Sequence, residues 1–192
     1  MVLFVVFCCQ YVQILLYFIR AIMIKNNLLM LSLENHISKH TKQKLADSLD
    51  LFFADINDIL EYNLIDNNML ETCGKKYFDK ETKKVLHSVS QYENSLVSGN
   101  INLFLNDDTI KQFKEKFIVL YMQYDKKQLQ KMQEDETEKF EDNKIHQNNL
   151  LAFEEEDMLC KSFADITIPM TEDENENIES IKKSLLKFVE GR

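Results

Sequence analysis

Asp107–Asp142 reads D-D-T-I-K-Q-F-K-E-K-F-I-V-L-Y-M-Q-Y-D-K-K-Q-L-Q-K-M-Q-E-D-E-T-E-K-F-E-D, and the fold class turns on how this stretch is read. Ile110, Phe113, Phe117, Leu120 and Tyr124 step by three and four, which predicts one apolar stripe along a helix, with Met132 extending it. Lys111, Lys114, Lys116, Lys126, Lys127 and Lys131 fall on the opposite face. Asp107 and Asp108 precede Thr109, a residue type that accepts orphan N–H groups as an N-cap. Past Met132 the stripe thins and the chain turns acidic. The expectation is a long helix, packed over its first part and projecting into solvent at its end.

Composition points the same way. In 192 residues there are three glycines (Gly74, Gly99 and Gly191) and one proline, Pro169. Sheets and barrels draw on these residues for their turns, so their scarcity favours long helices. The fold class read from the sequence is all-α, an elongated helical bundle or coiled coil. A formal net charge of −9 argues against a general nucleic-acid role, which rests on lysine and arginine neutralising phosphates. Cys8 and Cys9 are adjacent while Cys73 and Cys160 stand apart, which is no disulfide framework.

Outward from the opening stretch, Leu45, Leu49, Phe52, Ile56 and Ile59 step by four, three, four and three. With Phe53 and Leu60 beside them they form a heptad-like seam within 41–65. The carboxylates around them, Asp47, Asp50, Asp55, Asp58 and Glu61, read as a solvated helix face. A third helical stretch spans 69–98, with Gly99-Asn100 as its stop and I-N-L-F-L as an apolar connector. Between 133 and 157 ten carboxylates face only Lys139 and Lys144, interrupted by the apolar patch from Leu150. Ile166–Pro169 reads as extended, because proline disfavours helix at the residue before it. Thr171 and Glu174 fit a capping box for a final helix that buries Ile178, Ile181 and Leu185. The resulting division is 1–29 as an apolar helix, 30–132 as a helical core, 133–165 as an acidic segment and 166–192 as an amphipathic helix.

Residues 2–19 are apolar apart from Gln10 and Gln13, about the length of a membrane span. Four readings of them stay open: an anchor that keeps the rest of the chain cytosolic, a helix buried in a complex, sequence upstream of a later start at Met23 or Met30, or an aggregation-prone strand.

No catalytic constellation emerges. Gly74-Lys75 has Met69 where a phosphate-cradling loop needs its first glycine, and the glycines allow no G-x-G-x-x-G. His36 and His40 would share a helix face, but two ligands without a third do not make a zinc site. Cys73 beside Lys75 and Lys76 reads as a small buried residue before it reads as a reactive thiol. No catalytic residue, metal ligand or cofactor is therefore predicted.

Paired helices in 41–98, the connector N-I-N-L-F-L-N-D-D and the charged helix after it give a layout over 41–140 that resembles subunits of the MIND-type kinetochore complex. The resemblance matches no diagnostic motif. It carries over no functional residue and implies a non-enzymatic scaffold inside a hetero-oligomer. The apolar stripes themselves are expected to face helical partners, through Leu45, Leu49, Phe52, Ile56, Ile59, Ile110, Phe113, Phe117, Leu120 and Tyr124, in a chain expected to be cytoplasmic or nuclear. The alternative is a membrane-anchored cytosolic adaptor held by residues 2–19.

Overall fold

The computed structural model describes residues 27–33, 38–104, 107–123, 125, 128 and 145–191; for Asp107 and 145–153 it describes the backbone alone. Five short segments rich in leucine, β-branched and aromatic residues form strands: β1 (Asn27–Ser32), β2 (Phe52–Asp55), β3 (Ser95–Asn100), β4 (Phe117–Gln123) and β5 (Ile166–Pro169). Between them lie α1 (Lys39–Ser48), α2 (Ile56–Tyr62), α3 (Asn67–Cys73), α4 (Lys75–Val89), α5 (Asp107–Lys116) and α6 (Ile145–Phe163), and α7 (Glu174–Glu190) follows β5. The strands pair in the order β2-β3-β1-β4-β5, every pairing parallel.

Because the sheet is covered on both faces, its strands are apolar runs and not alternating ones. In β1, Leu29 and Leu31 point into one core with Val97, Val119 and Tyr121, under Leu86 of α4, Phe113 of α5 and Cys160 of α6. Leu28 and Met30 point into the other with Leu96, Ile118, Leu120 and Ile168, under Leu45 of α1 and Ile178, Ile181 and Leu185 of α7.

The all-α expectation is thus corrected to an α/β fold. In 107–123 the helix ends at Lys116, and F-I-V-L-Y-M-Q continues as a strand with its first six residues buried. Phe117 and Leu120 kept helical spacing only because both faces of β4 are buried. The 41–65 seam also breaks. Asp50 takes a φ of 54°, a left-handed conformation that aspartate tolerates, and so turns the chain out of α1 into β2. Asn94, at a φ of 49°, does the same before β3, so 69–98 is two helices and the start of a strand, with Gly99 inside that strand. The connector I-N-L-F is one turn of 3₁₀ helix.

Of the residues expected to receive partners, Leu45, Ile56, Ile110, Phe113, Phe117 and Leu120 are buried in this chain's own core. Leu49 and Ile59 pack against that core half-buried, Phe52 is 65% exposed, and Tyr124 lies outside the described residues. So does the apolar run 2–19. No helix among the described residues is long and apolar enough to cross a membrane.

Candidate active site

β1 and β3 are neighbours whose connections leave over opposite faces, α1 beside Leu28 and Met30, α5 beside Leu29 and Leu31. Open parallel sheets receive ligands at such a switch point, above the carboxyl ends of the strands. Here the head of α1, the end of β2 and the end of β3 converge there. Ser38 caps α1, its Oγ accepting the Thr41 N–H at 3.1 Å, and Lys39 is the first helical residue. The unpaired N–H groups and the dipole make that end of a helix attractive to anions.

Asp55, the last residue of β2, lies opposite Ser98 in the parallel register. Its Oδ2 accepts from Ser98 Oγ at 2.6 Å and from Lys42 Nζ at 3.2 Å, and its Oδ1 accepts the Asn57 N–H at 2.9 Å, which caps α2. Lys42 is 4% exposed and Asp55 8%. Burial opposes ionisation of Asp55, yet the Ser98 hydroxyl, the Lys42 ammonium and the Asn57 N–H outweigh it and hold the carboxyl below its ordinary value. The strand register and the first turn of α1 thus assemble a buried ion pair whose carboxylate accepts three hydrogen bonds, two at Oδ2 and one at Oδ1.

Nearer solvent, Glu174 at the start of α7 reaches the head of α1. Its Oε1 accepts from Thr41 Oγ1 at 2.5 Å and from Ser38 Oγ at 3.0 Å, bonds that lower its pKa. Lys44 Nζ donates to Asn175 Oδ1 at 2.6 Å, a second tie between α1 and α7. Lys39, exposed, pairs with Asp58 of α2, and this hydrogen bond raises its pKa. On the other face Tyr121 OH donates to Asp157 Oδ1 at 2.7 Å, and burial pushes the Cys160 thiol up to about 12, with Glu156 and Asp157 adding to the effect.

None of Lys39, Lys42, Asp55, Ser98 and Glu174 was singled out by sequence reasoning as functional. The motif that signals such a crevice is G-x-x-x-x-G-K-[S/T] after a strand. In this chain Leu33 and Ser38 occupy its glycine positions and His40 its hydroxyl position, so Lys39 alone of the signature survives. The usable signal was the apolar run Leu28–Leu33, the short stretch E-N-H-I, and Ser38 capping the next helix. Of the residues that were weighed, His40 stands exposed at the head of α1 and helps to lower the pKa of Glu174, Cys73 is exposed at the end of α3, and His36 lies outside the described residues. The cap of α7 is Asp173, which takes the Asn175 and Glu176 N–H groups, while Glu174 reaches across to α1 instead of back to Thr171.

Solved structures share the fold. Shikimate kinase from Aquifex aeolicus is 20% identical, with 86% of this chain and 99% of that one covered at a TM-score of 0.67. Shikimate kinase from Acinetobacter baumannii in complex with shikimate is 17% identical, with 88% and 97% covered at 0.70. A gluconokinase from Sinorhizobium meliloti is 9% identical, with 86% and 94% covered at 0.55. No curated protein matches the chain. A family model described as shikimate kinase matches residues 39–189. That match overturns the kinetochore resemblance, and with it the non-enzymatic scaffold and its helical hetero-oligomer partners. The paired-helix layout read over 41–140 is a βαβ succession, and its apolar stripes are covered from within. The chain belongs to the shikimate kinase family.

Proposed function

We propose that the protein is a small-molecule kinase that moves the terminal phosphoryl group of a nucleoside triphosphate onto a hydroxyl of a compact polyhydroxylated carboxylate of the shikimate class. The observation that carries this reading is the family match across 39–189, which takes in every crevice residue from Lys39 to Glu174. In such a transfer the acceptor hydroxyl oxygen bonds to phosphorus, the bond to the departing diphosphate breaks, and the hydroxyl proton passes to water. The protein contributes position and charge. Arg20 and Arg192 are the chain's two arginines and both lie outside the described residues, so among the described residues lysine supplies the positive charge. Lys39, at the head of α1, is placed to meet the phosphates. Asp55 organises the crevice floor and is no general base, since both its oxygens are occupied and its carboxyl is held ionised.

Folds of this kind commonly hold Mg²⁺ through the hydroxyl that follows the loop lysine and through a carboxylate nearby. These residues do not fit that arrangement at Asp55. His40 replaces the hydroxyl, and the buried Lys42 ammonium already neutralises the carboxylate. The same reading puts the protein in the cytosol, which supplies nucleoside triphosphate and keeps thiols such as Cys73 and Cys160 reduced.

The test is to incubate the full chain with γ-labelled ATP and shikimate, with and without Mg²⁺, and to follow label in the acceptor. Shikimate-dependent transfer is expected, falling roughly tenfold or more in Lys39→Ala, equivalent to ~1.4 kcal/mol of lost transition-state stabilisation. No shikimate-dependent transfer in any condition overturns the proposal.

A further inference from the structure

We propose that Lys42 is the resident cation of this crevice and that its ammonium excludes a divalent metal from Asp55. The observation is the disagreement between the family's usual metal chemistry and this chain's donors. A magnesium ion needs a near-octahedral oxygen shell at about 2.0–2.1 Å and keeps several waters. Asp55 has little left to offer that shell, because Oδ2 takes both Ser98 Oγ and Lys42 Nζ and Oδ1 takes the Asn57 N–H, so three of about four acceptor positions are already filled. β3 supplies Ser98 at this register, a hydroxyl already committed to Asp55. A divalent cation entering here would also have to sit against a buried ammonium of like sign. Among the described residues, no three histidine, cysteine or acidic side chains gather as a metal site.

Lys42 therefore provides the positive charge, covalently, from the first turn of α1. An ammonium carries three N–H donors, and among the described residues only Asp55 accepts from this one. An anion in the crevice would then be held by fixed lysine charge with no bridging metal. The inference concerns the same crevice as the kinase reading and rests on that reading only for the identity of the anion.

The experiment uses Mn²⁺ and Mg²⁺ alone as probes of the full chain. Electron paramagnetic resonance of a Mn²⁺ titration is expected to show no bound ion that Asp55→Asn removes, and millimolar Mg²⁺ is expected to leave the wild-type melting temperature unchanged. Lys42→Ala leaves Asp55 without its counter-ion. Its melting temperature is expected to fall and then to rise saturably with Mg²⁺, by about 2–4 °C or more, an increment that adding Asp55→Asn abolishes. A wild-type Mn²⁺ site lost in Asp55→Asn overturns the proposal, as does a Lys42→Ala chain that folds and gains nothing from metal. Should Lys42→Ala fail to fold, the wild-type titration decides alone. Failure of the kinase reading shows separately, as absent phosphoryl transfer in a chain whose metal titration is unaffected.

Discussion

Three donors converge on Asp55 from three elements, α1, β3 and the first turn of α2, and this is why a carboxylate at 8% exposure remains charged. Taking either partner of a buried ion pair away is costly because the other is left uncompensated. Asp55→Ala should therefore destabilise the chain by about 3–5 kcal/mol, read from chemical denaturation. The pH dependence has a definite sign. Since the folded state holds Asp55 below its ordinary value, its contribution is fully present above the unfolded pKa of ~3.9 and is lost as pH falls through the lower folded value. Acid unfolding of Asp55→Asn should lose that component, and an unchanged acid profile would show the carboxylate to be a bystander. Of the helical stripe read from Ile110 onward, only Ile110 and Phe113 lie on a helix, since Phe117 and Leu120 belong to β4, and the ion pair was not legible at all. Lys42, Asp55 and Ser98 lie 13 and 43 residues apart and no local rule joins them.

At the scale of elements, α5 runs into β4 with no loop between Lys116 and Phe117. Helical and strand spacing agree over such a join when a strand is buried on both faces, so period alone could not separate them. The run Phe117-Ile-Val-Leu-Tyr was the better guide, since β-branched and aromatic residues crowd a helix and suit a pleat. Two substitutions in the expected seams separate the readings. Leu120→Asp places a carboxylate among Met30, Ile168 and Ile181, and should abolish cooperative thermal unfolding by circular dichroism. Phe52→Ser removes a side chain that is 65% exposed and meets Tyr92 edge-on at 6.3 Å, and should cost no more than about 1.5 kcal/mol. Equal losses from the two would refute this assignment of core and surface.

For the whole molecule, the decisive strand is β1. It lies in the middle of the sheet and pairs with segments far along the chain, Leu28 with both Leu96 and Ile118. Asn27 fastens its start, Nδ2 donating to Tyr92 O at 3.0 Å and Oδ1 accepting the Ser95 N–H at 3.2 Å. A chain started at Met30 loses Asn27, Leu28 and Leu29 and should not melt cooperatively, whereas one started at Met23 keeps every described residue and should. Cooperative melting of the Met30 chain would mean that the centre of the sheet is dispensable. The sequence by itself determined the amphipathic faces of α1, α5 and α7, the extended Ile166–Pro169 and the acidic balance, because these follow from neighbours within a few positions. Only the tertiary structure decided that the apolar runs are parallel strands covered from within, and that Lys42 meets Asp55. Parallel pairing joins residues separated by whole crossovers, and its hydrogen bonds leave no periodic mark on the sequence of either strand.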